Sequence, residues 1–484
     1  MSHSLPRSAP ENQGVRSESM LEFLDAVESA KLEFHSLMVL KHGQVIAQGW
    51  WKPYAPDLKH MLFSLSKSFT SSAIGLLVEA GTINLDDGVI SFFPEDLPPQ
   101  ISANLRALKV KDLLKMASGH KEDPTNAPNI HESQNWIKTI LEQEIEFEPG
   151  THFVYNSGAS FLLSAIVQKL TGQTLLEFLT PRLLEPLGVE NATWASNVQG
   201  INFGGWGLNL TSEDIAKFGL LYLQKGVWNG QQILTKTWVD QATSNQISNG
   251  DKPTSDWQQG YGYQFWQCRH GAYRGDGAFG QYCIVMPEQN AVVVITSAVN
   301  DMQMVLDLVW QHLLPGLNSK QVLKPSSQSE ILKLKLSNLE LPVVQGEKTS
   351  EIATRVSGRT YGFEDNEPKI QSTSFQFRAE HLELQVTNDL GNHRLICGFG
   401  RWQDQETTFE PSAGFGNLEL RKASLQGAWI EPDQFEMQIC FNESAFTFTL
   451  SFTFSKDSLV LNSRINVGFG ETVLKPIIAK TQVT

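Results

Sequence analysis

The alternation of apolar and polar residues changes character once along the chain. Up to about residue 320, apolar runs typical of strands alternate with the three-to-four-residue spacing of amphipathic helices. Helices are predicted at residues 20–30 and 159–170, and two apolar runs around His42-Gly43 predict a β-hairpin. Further strands are predicted near the end of this region. This order favours an α+β domain, in which an antiparallel sheet is flanked by helices and accompanied by a helical subdomain.

Beyond about residue 350 the pattern alternates with a period of two and shows little helical spacing. Several short strand-like segments separated by turns predict an all-β barrel or sandwich. Between the two regions lies a stretch that carries Pro325 and Pro342 and is rich in Ser and Lys, which is typical of a linker. The predicted division is a first domain at 1–318, a linker at 319–350 and a β domain at 351–484.

Composition narrows the class of function. The 484 residues carry a net charge of -14, from 52 acidic and 38 basic side chains, and such a surface repels nucleic acid. No window approaches the roughly 20 apolar residues of a membrane span, and the N-terminus lacks the apolar core of a signal peptide, so we expect a cytoplasmic protein with no membrane partner. The four cysteines lack CxxC spacing and no HExxH occurs, so neither a metal nor another cofactor is expected.

One stretch, Phe63 to Gly75, reads FSLSKSFTSSAIG and opens an apolar helix with serines and a lysine. Residues three apart share a helix face, so Lys67 would lie beside Ser64 and supply the basic partner that a serine nucleophile needs. The simpler interpretation is that Ser64 only caps the helix. The spacing alone is weak, because a second S-x-x-K occurs at Ser118 to Lys121, although that one follows a helix and contains glycine.

Two further signals accompany the first. Tyr155-Asn156-Ser157 lies between a Pro-Gly turn and the helix predicted at 159–170. GDGAFGQY, from Gly275 to Tyr282, places glycines just before an apolar strand, where they allow a backbone or a ligand to come close. Taken singly, each is also compatible with an ordinary turn.

In this order the three motifs resemble those of the serine β-lactamase and penicillin-binding-protein superfamily. SLSKSF, EPGTHFVYNSGASFLLSAIV, GGWGLNLTSEDIAKFG and GAFGQYCIVMP are similar to the branch that holds class C β-lactamases, D-aminopeptidases, family VIII esterases and 6-aminohexanoate-dimer hydrolases. The resemblance covers about residues 10 to 315 and implies a β-lactamase-like fold for the first domain. For the second domain it implies a lipocalin-like barrel, as some D-aminopeptidase-like members carry.

The resemblance also implies roles for individual residues. Ser64 would attack the carbonyl, and Lys67 would hold both Ser64 and Tyr155. Tyr155 would act as general base in acylation and as acid to the leaving group, although whether Lys67 or Tyr155 takes the first proton stays open. The N–H groups of Ser64 and Ala278 would form an oxyanion hole.

The sequence departs from the family pattern at two places, and both lie among the expected substrate-binding residues. Ser157 stands where the family's Y-x-N motif has an amide, and Gly275-Asp276-Gly277 stands where the family has K-T-G. The missing lysine argues against β-lactam substrates, and Asp276 is expected either to select substrates with a free amine or only to form a turn. The glycine-rich stretch around Trp206 is expected either to line the pocket or to turn the chain.

The combined prediction is a cofactor-free serine hydrolase that forms an acyl-enzyme on small esters, amides or short peptides. The GxSxG elbow of α/β-hydrolases is absent, which removes one rival nucleophile arrangement. A rival from another class is a non-catalytic acyl-binding sensor, or penicillin-binding-like protein, whose adduct is not released. Assembly into a homo-oligomer is left open.

Overall fold

The computed structural model describes residues 4–130, 132–318, 323–324, 327–411 and 420–482. Within them the chain divides into two units. The first contains residues up to Gly49, Lys59–Ser297 and Asp301–Ser337, and the second contains Trp50–Leu58, Ala298–Asn300 and the chain from Asn338 onward. A helix at Ser327–Ser337 therefore belongs to the first unit, although it lies in the segment for which the sequence predicts a linker.

The main sheet of the first unit is built from both ends of its sequence. The strands up to residue 297 are β1 (Phe34–Lys41), β2 (Gln44–Trp50), β3 (His60–Met61), β4 (Thr193–Trp194), β5 (Leu208–Leu210), β6 (Val227–Trp228), β7 (Gln231–Gln232), β8 (Trp266–Gln267), β9 (Tyr273–Gly277), β10 (Gln281–Met286) and β11 (Ala291–Ser297). Within the described residues, six of them form a sheet in the order β2-β1-β11-β10-β9-β8. The pairings from β1 through to β8 are antiparallel, so the predicted hairpin and sheet type are confirmed.

Helices fill the sequence between the two halves of the sheet. They are α1 (Ser17–Ser29), α2 (Ser66–Glu79), α3 (Ala103–Ala107), α4 (Val110–Leu114), α5 (Trp136–Leu141), α6 (Ser157–Thr171), α7 (Leu175–Leu179), α8 (Glu185–Leu187), α9 (Ser212–Leu223), α10 (Lys236–Ala242), α11 (Met302–Leu308), α12 (Leu314–Leu317), α13 (Ser327–Ser337) and α14 (Ala353–Val356). The two helices predicted from periodicity correspond to α1 and α6, and α6 ends at Gly172 as expected. In the described parts of the chain no helix has the length and apolar character needed to cross a membrane.

Strand β9 was not expected from its composition. Gly275 lies inside β9 and pairs with Cys283 of β10, and Gly277 ends β9 and pairs with Gln281 at the turn between the two strands. Glycine and aspartate disfavour strands because they supply little side chain to pack. Here β9 is buried along its whole length, so tertiary packing overrides that weak preference.

The second unit is a closed barrel rather than a sandwich. Its strands are β12 (Thr360–Phe363), β13 (Ile370–Phe377), β14 (His381–Asn388), β15 (Gly391–Phe399), β16 (Gln403–Thr407), β17 (Arg421–Glu431), β18 (Gln434–Cys440), β19 (Thr447–Phe454), β20 (Ser458–Ile465) and β21 (Ile477–Thr481). Among the described strands, the order β15-β14-β13-β12-β21-β20-β19-β18-β17 closes on itself through a parallel pairing of β15 with β17. The rings of Phe375, Phe377 and Phe454 contact one another and are buried or half-buried, so aromatic packing fills part of this unit.

A buried histidine pair lies directly before the segment that carries Ser64. His35 on β1 and His60 on β3 share a hydrogen bond of 2.9 Å between Nδ1 and Nε2, and both rings are buried. Burial lowers the pKa of His35 well below its ordinary value, and burial together with His35 lowers the pKa of His60 from 6.5 to about 3. Both rings are therefore neutral in the folded protein at neutral pH.

The histidine pair should make the first unit sensitive to acid. Below pH 6.5 the unfolded chain binds protons on His35 and His60 that the folded chain excludes, so stability falls as the pH falls. The double variant His35→Leu/His60→Leu should lose this sensitivity between pH 6.5 and about 5, by roughly 1.4 kcal/mol per pH unit for each histidine. Urea unfolding midpoints across this range provide the measurement, and identical slopes for wild type and variant would contradict the expectation.

Candidate active site

Ser64 lies in a turn before helix α2 and not at the cap of that helix. The turn is a short 3-10 segment, Phe63–Leu65, and α2 begins at Ser66 with Leu65 as its N-cap, without a side-chain capping bond. The hydroxyl of Ser64 instead accepts a hydrogen bond of 3.1 Å from Nζ of Lys67. The interpretation of Ser64 as a helix cap is therefore wrong.

Lys67 is the residue around which this region is arranged. Its side chain is only 1% exposed, yet its Nζ donates to Ser64 Oγ at 3.1 Å, to Ser157 Oγ at 3.2 Å and to the backbone carbonyl of Gly205 at 2.8 Å. A charged ammonium has three N–H donors, so all three are satisfied. The structure thus brings together the two ends of the S-x-x-K motif and the last residue of the Tyr155-Asn156-Ser157 motif.

The surroundings of Lys67 lower the pKa of its amine toward neutral pH. Burial lowers its pKa from 10.5 to about 8, even though the nearby carboxylates of Asp123 and Asp276 act to raise it. A neutral amine keeps two N–H donors and gains one lone pair. Because the Gly205 carbonyl can only accept, the lone pair of a neutral Lys67 is available to a serine hydroxyl.

Tyr155 lies next to both Lys67 and Ser64. Nζ of Lys67 is 4.8 Å from the centre of the Tyr155 ring, so the cation faces the ring. Burial, and then the charge of Asp276, raise the pKa of Tyr155 above its ordinary value of 10.0, while a hydrogen bond with Ser64 lowers it. The phenol is therefore neutral and keeps its proton at pH 7.

Asp123 is a part of the site that the sequence did not reveal. Its carboxylate accepts the backbone N–H groups of Ser157 at 2.6 Å and Gly158 at 3.1 Å, at the start of α6. Asn156 is the N-cap of that helix and accepts from the N–H of Ala159 at 2.8 Å. Together these bonds fix the backbone that presents Ser157 to Lys67. The only sequence signal was a turn-forming Asp-Pro pair, which is common.

Each of the predicted oxyanion residues adjoins a strained backbone position. Phe63, before Ser64, has φ 47°, and Phe279, after Ala278, has φ 63°, a region that side chains rarely occupy. Their rings meet edge to face at 5.3 Å between centroids. Next to them, a Cβ on Gly277 would lie 2.0 Å from the carbonyl oxygen of Leu62. The turn that holds Ser64 and the end of β9 are thus packed backbone to backbone.

Asp276 is buried and already paired. It is 6% exposed and its Oδ2 accepts a hydrogen bond of 2.8 Å from Nε of Arg274, which is 0% exposed. A Cβ on the preceding Gly275 would lie 2.4 Å from Leu65 Cδ1 and 2.6 Å from Ser68 Oγ, so this glycine serves close packing on α2. Selection of a free amine by Asp276 stays a prediction, but such an amine would have to compete with the guanidinium.

The glycine-rich stretch around Trp206 closes over the lysine. Besides its carbonyl bond, Gly205 approaches so closely that a Cβ there would lie 3.3 Å from Nζ of Lys67. Trp206 is half-buried and stacks on Phe203 at 4.6 Å between ring centroids. Elsewhere in the described residues, no three His, Cys, Asp or Glu side chains meet in a way that could hold a metal ion.

The sequence is similar to a known protein family. The β-lactamase family model matches residues 25–312. A 6-aminohexanoate-dimer hydrolase of Paenarthrobacter ureafaciens is 26% identical over 284 residues, which are 54% of this chain and 72% of that protein.

Two solved structures share the fold. The octameric penicillin-binding protein homologue from Pyrococcus abyssi aligns with 96% of this chain and 99% of its own, with a TM-score of 0.50 and 17% identity. EstCE1, a hydrolase with promiscuous acyltransferase activity, aligns with 61% of this chain and 99% of its own, with a TM-score of 0.51 and 16% identity.

The fold therefore places a serine, in the turn before α2, beside a buried lysine in the first turn of that helix. Because the family model covers more than half of the sequence, this chain belongs to the β-lactamase family. The expected resemblance of the first domain is therefore confirmed.

Gly277 offers a test of the close packing at the site. In Gly277→Ala the new methyl would meet the Leu62 carbonyl at 2.0 Å, so the backbone around Ala278 must shift. We expect a stability loss of about 1–3 kcal/mol and, if Ala278 lies at the reacting centre, a rate loss of up to about 100-fold. Gly88→Ala is the matched control, because nothing lies within 4 Å of a Cβ there. Equal activity in the two variants would show that the approach of Gly277 to Leu62 is unimportant.

Proposed function

We propose that this protein is a serine hydrolase that forms an acyl-enzyme on Ser64 and acts on small esters, amides or short peptides. One observation carries the proposal: the amine of Lys67 is buried and lies 3.1 Å from Ser64 Oγ. A serine hydroxyl becomes a useful nucleophile when a base lies within hydrogen-bond reach. The family to which the chain belongs supports the same reading, since the similar proteins include named hydrolases.

In the proposed acylation, neutral Lys67 takes the proton of Ser64 as Oγ bonds to the substrate carbonyl carbon. The carbonyl oxygen becomes an oxyanion, which the N–H groups of Ser64 and Ala278 would stabilise. When the bond to the leaving group breaks, the neutral phenol of Tyr155 gives it a proton, and the ammonium of Lys67 then restores the phenol. Water hydrolyses the ester on Ser64 and releases the acid. Each step uses only groups of this chain, the substrate and water.

Gly275-Asp276-Gly277, which stands where the family has K-T-G, limits the class of substrate. The position of the family lysine is taken by Gly275, and the next residue, Asp276, is an acid paired with Arg274, so the three residues of this motif supply no cation for a β-lactam carboxylate. Esters, amides and short peptides do not require that cation. The name of the Paenarthrobacter relative adds a small dimer to the substrates worth testing.

For the second unit we propose the lipocalin-like description. Its support is the closed ring of strands, of which β15 and β17 form the parallel pair. Aromatic rings such as Phe375, Phe377 and Phe454 pack together in this unit, which favours a packing role over ligand storage. A homo-oligomer stays a prediction, and the octameric Pyrococcus abyssi homologue makes light scattering of the full chain its natural test.

The nucleophile can be tested with p-nitrophenyl butyrate, with colour release and intact mass followed in parallel. We expect turnover in the wild type and its loss in Ser64→Ala, because the hydroxyl that forms the acyl bond is gone. Ser118→Ala, from the second S-x-x-K, should keep turnover, since Ser118 Oγ bonds to His120 and Asn156 instead. A stable butyryl adduct without turnover would favour the acyl-binding sensor, and equal background in wild type and Ser64→Ala would contradict the proposal.

The pH dependence identifies the base. If neutral Lys67 takes the proton of Ser64, kcat/KM should rise with pH and level off above about 8, the pKa to which burial lowers this amine. Below that pH the fraction of neutral amine, and with it the rate, should fall about tenfold per pH unit. A profile that is flat through pH 8 would contradict Lys67 as the base.

A further inference from the structure

The ring of Tyr155 is stacked on Trp266. The two ring centroids are 5.2 Å apart and the planes differ by 22°. Tyr261 meets the Tyr155 ring edge-on at 6.4 Å and Trp266 at 4.9 Å, so the phenol ring is confined by neighbouring aromatic rings as well as by Lys67. Stacked and edge-to-face pairs are the favoured geometries of aromatic rings, so these contacts hold the Tyr155 ring in place.

Trp266 is itself held by charged groups on the neighbouring strand. Its indole acts to lower the pKa of the Asp276 carboxyl against the larger effect of burial, and Asp276 is paired with Arg274 at 2.8 Å. Trp266 on β8 lies directly across from Arg274 on β9, and the guanidinium carbon is 5.5 Å from the indole centre. The cross-strand pairing and the cation over its face therefore hold the indole in one orientation.

Arg274 is in turn anchored from behind. Its Nη1 donates to the backbone carbonyl of Asp256 at 2.8 Å and to Cys268 Sγ at 3.1 Å. Trp257 lies over the same guanidinium at 4.5 Å. A chain of contacts therefore runs from the backbone carbonyl of Asp256 through Arg274 and Trp266 to the phenol of Tyr155.

Stability alone is a weak explanation for this path. A buried ion pair loses so much hydration that a well-packed apolar replacement is often as stable. Arg274 is 0% exposed and Asp276 is 6% exposed. Their ion pair lies beside the indole that stacks on Tyr155 and can orient it.

We propose that Trp266 is a positioning residue, which holds the Tyr155 phenol against Ser64 and is itself oriented by the Asp276–Arg274 ion pair. This inference rests on the proposed hydrolase function and deepens it. It gives Asp276 a structural charge in place of a contact with substrate.

The charge of Asp276 also changes the pKa values of Lys67 and Tyr155, which packing alone would not do. The amine of Lys67 is faced by the carboxylates of Asp123 and Asp276, and both raise its pKa against the larger effect of burial. Asp276 also raises the pKa of Tyr155, after burial and against the hydrogen bond from Ser64. Removing the charge should therefore lower the pKa of Lys67 and move the acidic limb of the pH profile to lower pH.

The test compares Trp266→Leu, Trp266→Phe and Asp276→Asn in the full chain, with ethyl butyrate as the probe and acid release as the readout, because an alkoxide leaving group must take a proton whereas p-nitrophenolate leaves without one. Trp266→Leu should lower kcat about 100-fold while KM changes less than about threefold, because a displaced phenol affects the reaction more than binding. Trp266→Phe keeps a ring against Tyr155 and should recover most of that loss. Asp276→Asn should shift the limb of kcat/KM to lower pH.

Trp238→Phe is the matched control, since this indole is 2% exposed and also meets a tyrosine ring, that of Tyr263 at 5.8 Å, but does not belong to the path from Arg274 to Tyr155. Its kcat and its pH limb should match the wild type. Thermal unfolding of each variant separates misfolding from mispositioning, and Asp276→Asn, which conserves shape, serves if Trp266→Leu does not fold. Normal kcat in folded Trp266→Leu, or in folded Asp276→Asn, would overturn the inference while Ser64-dependent turnover still stands. Absence of that turnover in the wild type would overturn the proposed function and the inference with it.

Discussion

The buried amine of Lys67 is the constraint on which the rest of the site depends. An ammonium removed from water is tolerated only where its donors are satisfied. Here three oxygens from separate parts of the chain meet at Nζ, from Ser64, from Ser157 and from Gly205, the last two 90 and 138 residues away in sequence. The turn before α2, the start of α6 and the glycine-rich stretch must all be in place before the lysine can be buried.

That requirement explains several features that look unrelated in the sequence. Asp123 holds the first N–H groups of α6, which fixes the hydroxyl of Ser157 for Lys67. Gly205 lacks a side chain where a Cβ would lie 3.3 Å from Nζ. Phe63 and Phe279 occupy left-handed backbone positions on either side of the proposed oxyanion residues. Strain of this kind, about 1–3 kcal/mol for each residue, persists only where the surrounding packing leaves the chain no alternative.

The sequence predicted the residues of the site whose side chains form recognisable motifs. It did not predict the contacts that are made by backbone groups or to them. Ser64 and Lys67 could be paired from their spacing, and Tyr155 and Ser157 from a short motif before a helix. The carbonyl of Gly205 has no sequence signature, because every residue has one. Asp123 was hidden for a related reason, since it binds backbone N–H groups, and a turn-forming aspartate looks the same whether or not it supports a site.

The fold shows the same division. Regular amphipathic helices such as α1 and α6, and the hairpin of β1 and β2, follow from the apolar pattern alone. Strand β9 does not, because its glycines are selected by contact with Leu62, Leu65 and Ser68, which are distant in sequence. From the sequence, Asp276 is equally compatible with a turn. In the structure it lies on β9 and pairs with Arg274, two positions earlier on the same strand. Closure of the barrel depends on the parallel pairing of β15 with β17, which no local pattern specifies.

The central claim is that burial lowers the pKa of Lys67 to about 8. Direct titration of this side chain tests the claim most simply. Protein labelled with ¹³C at the lysine Cε positions can be followed by NMR across the alkaline range, with the signal of Lys67 assigned by its absence in Lys67→Met. The account predicts a midpoint near pH 8, well below the ordinary lysine value of 10.5. A midpoint at or above 10.5 would contradict it, because Lys67 would then stay charged and could not accept the proton of Ser64.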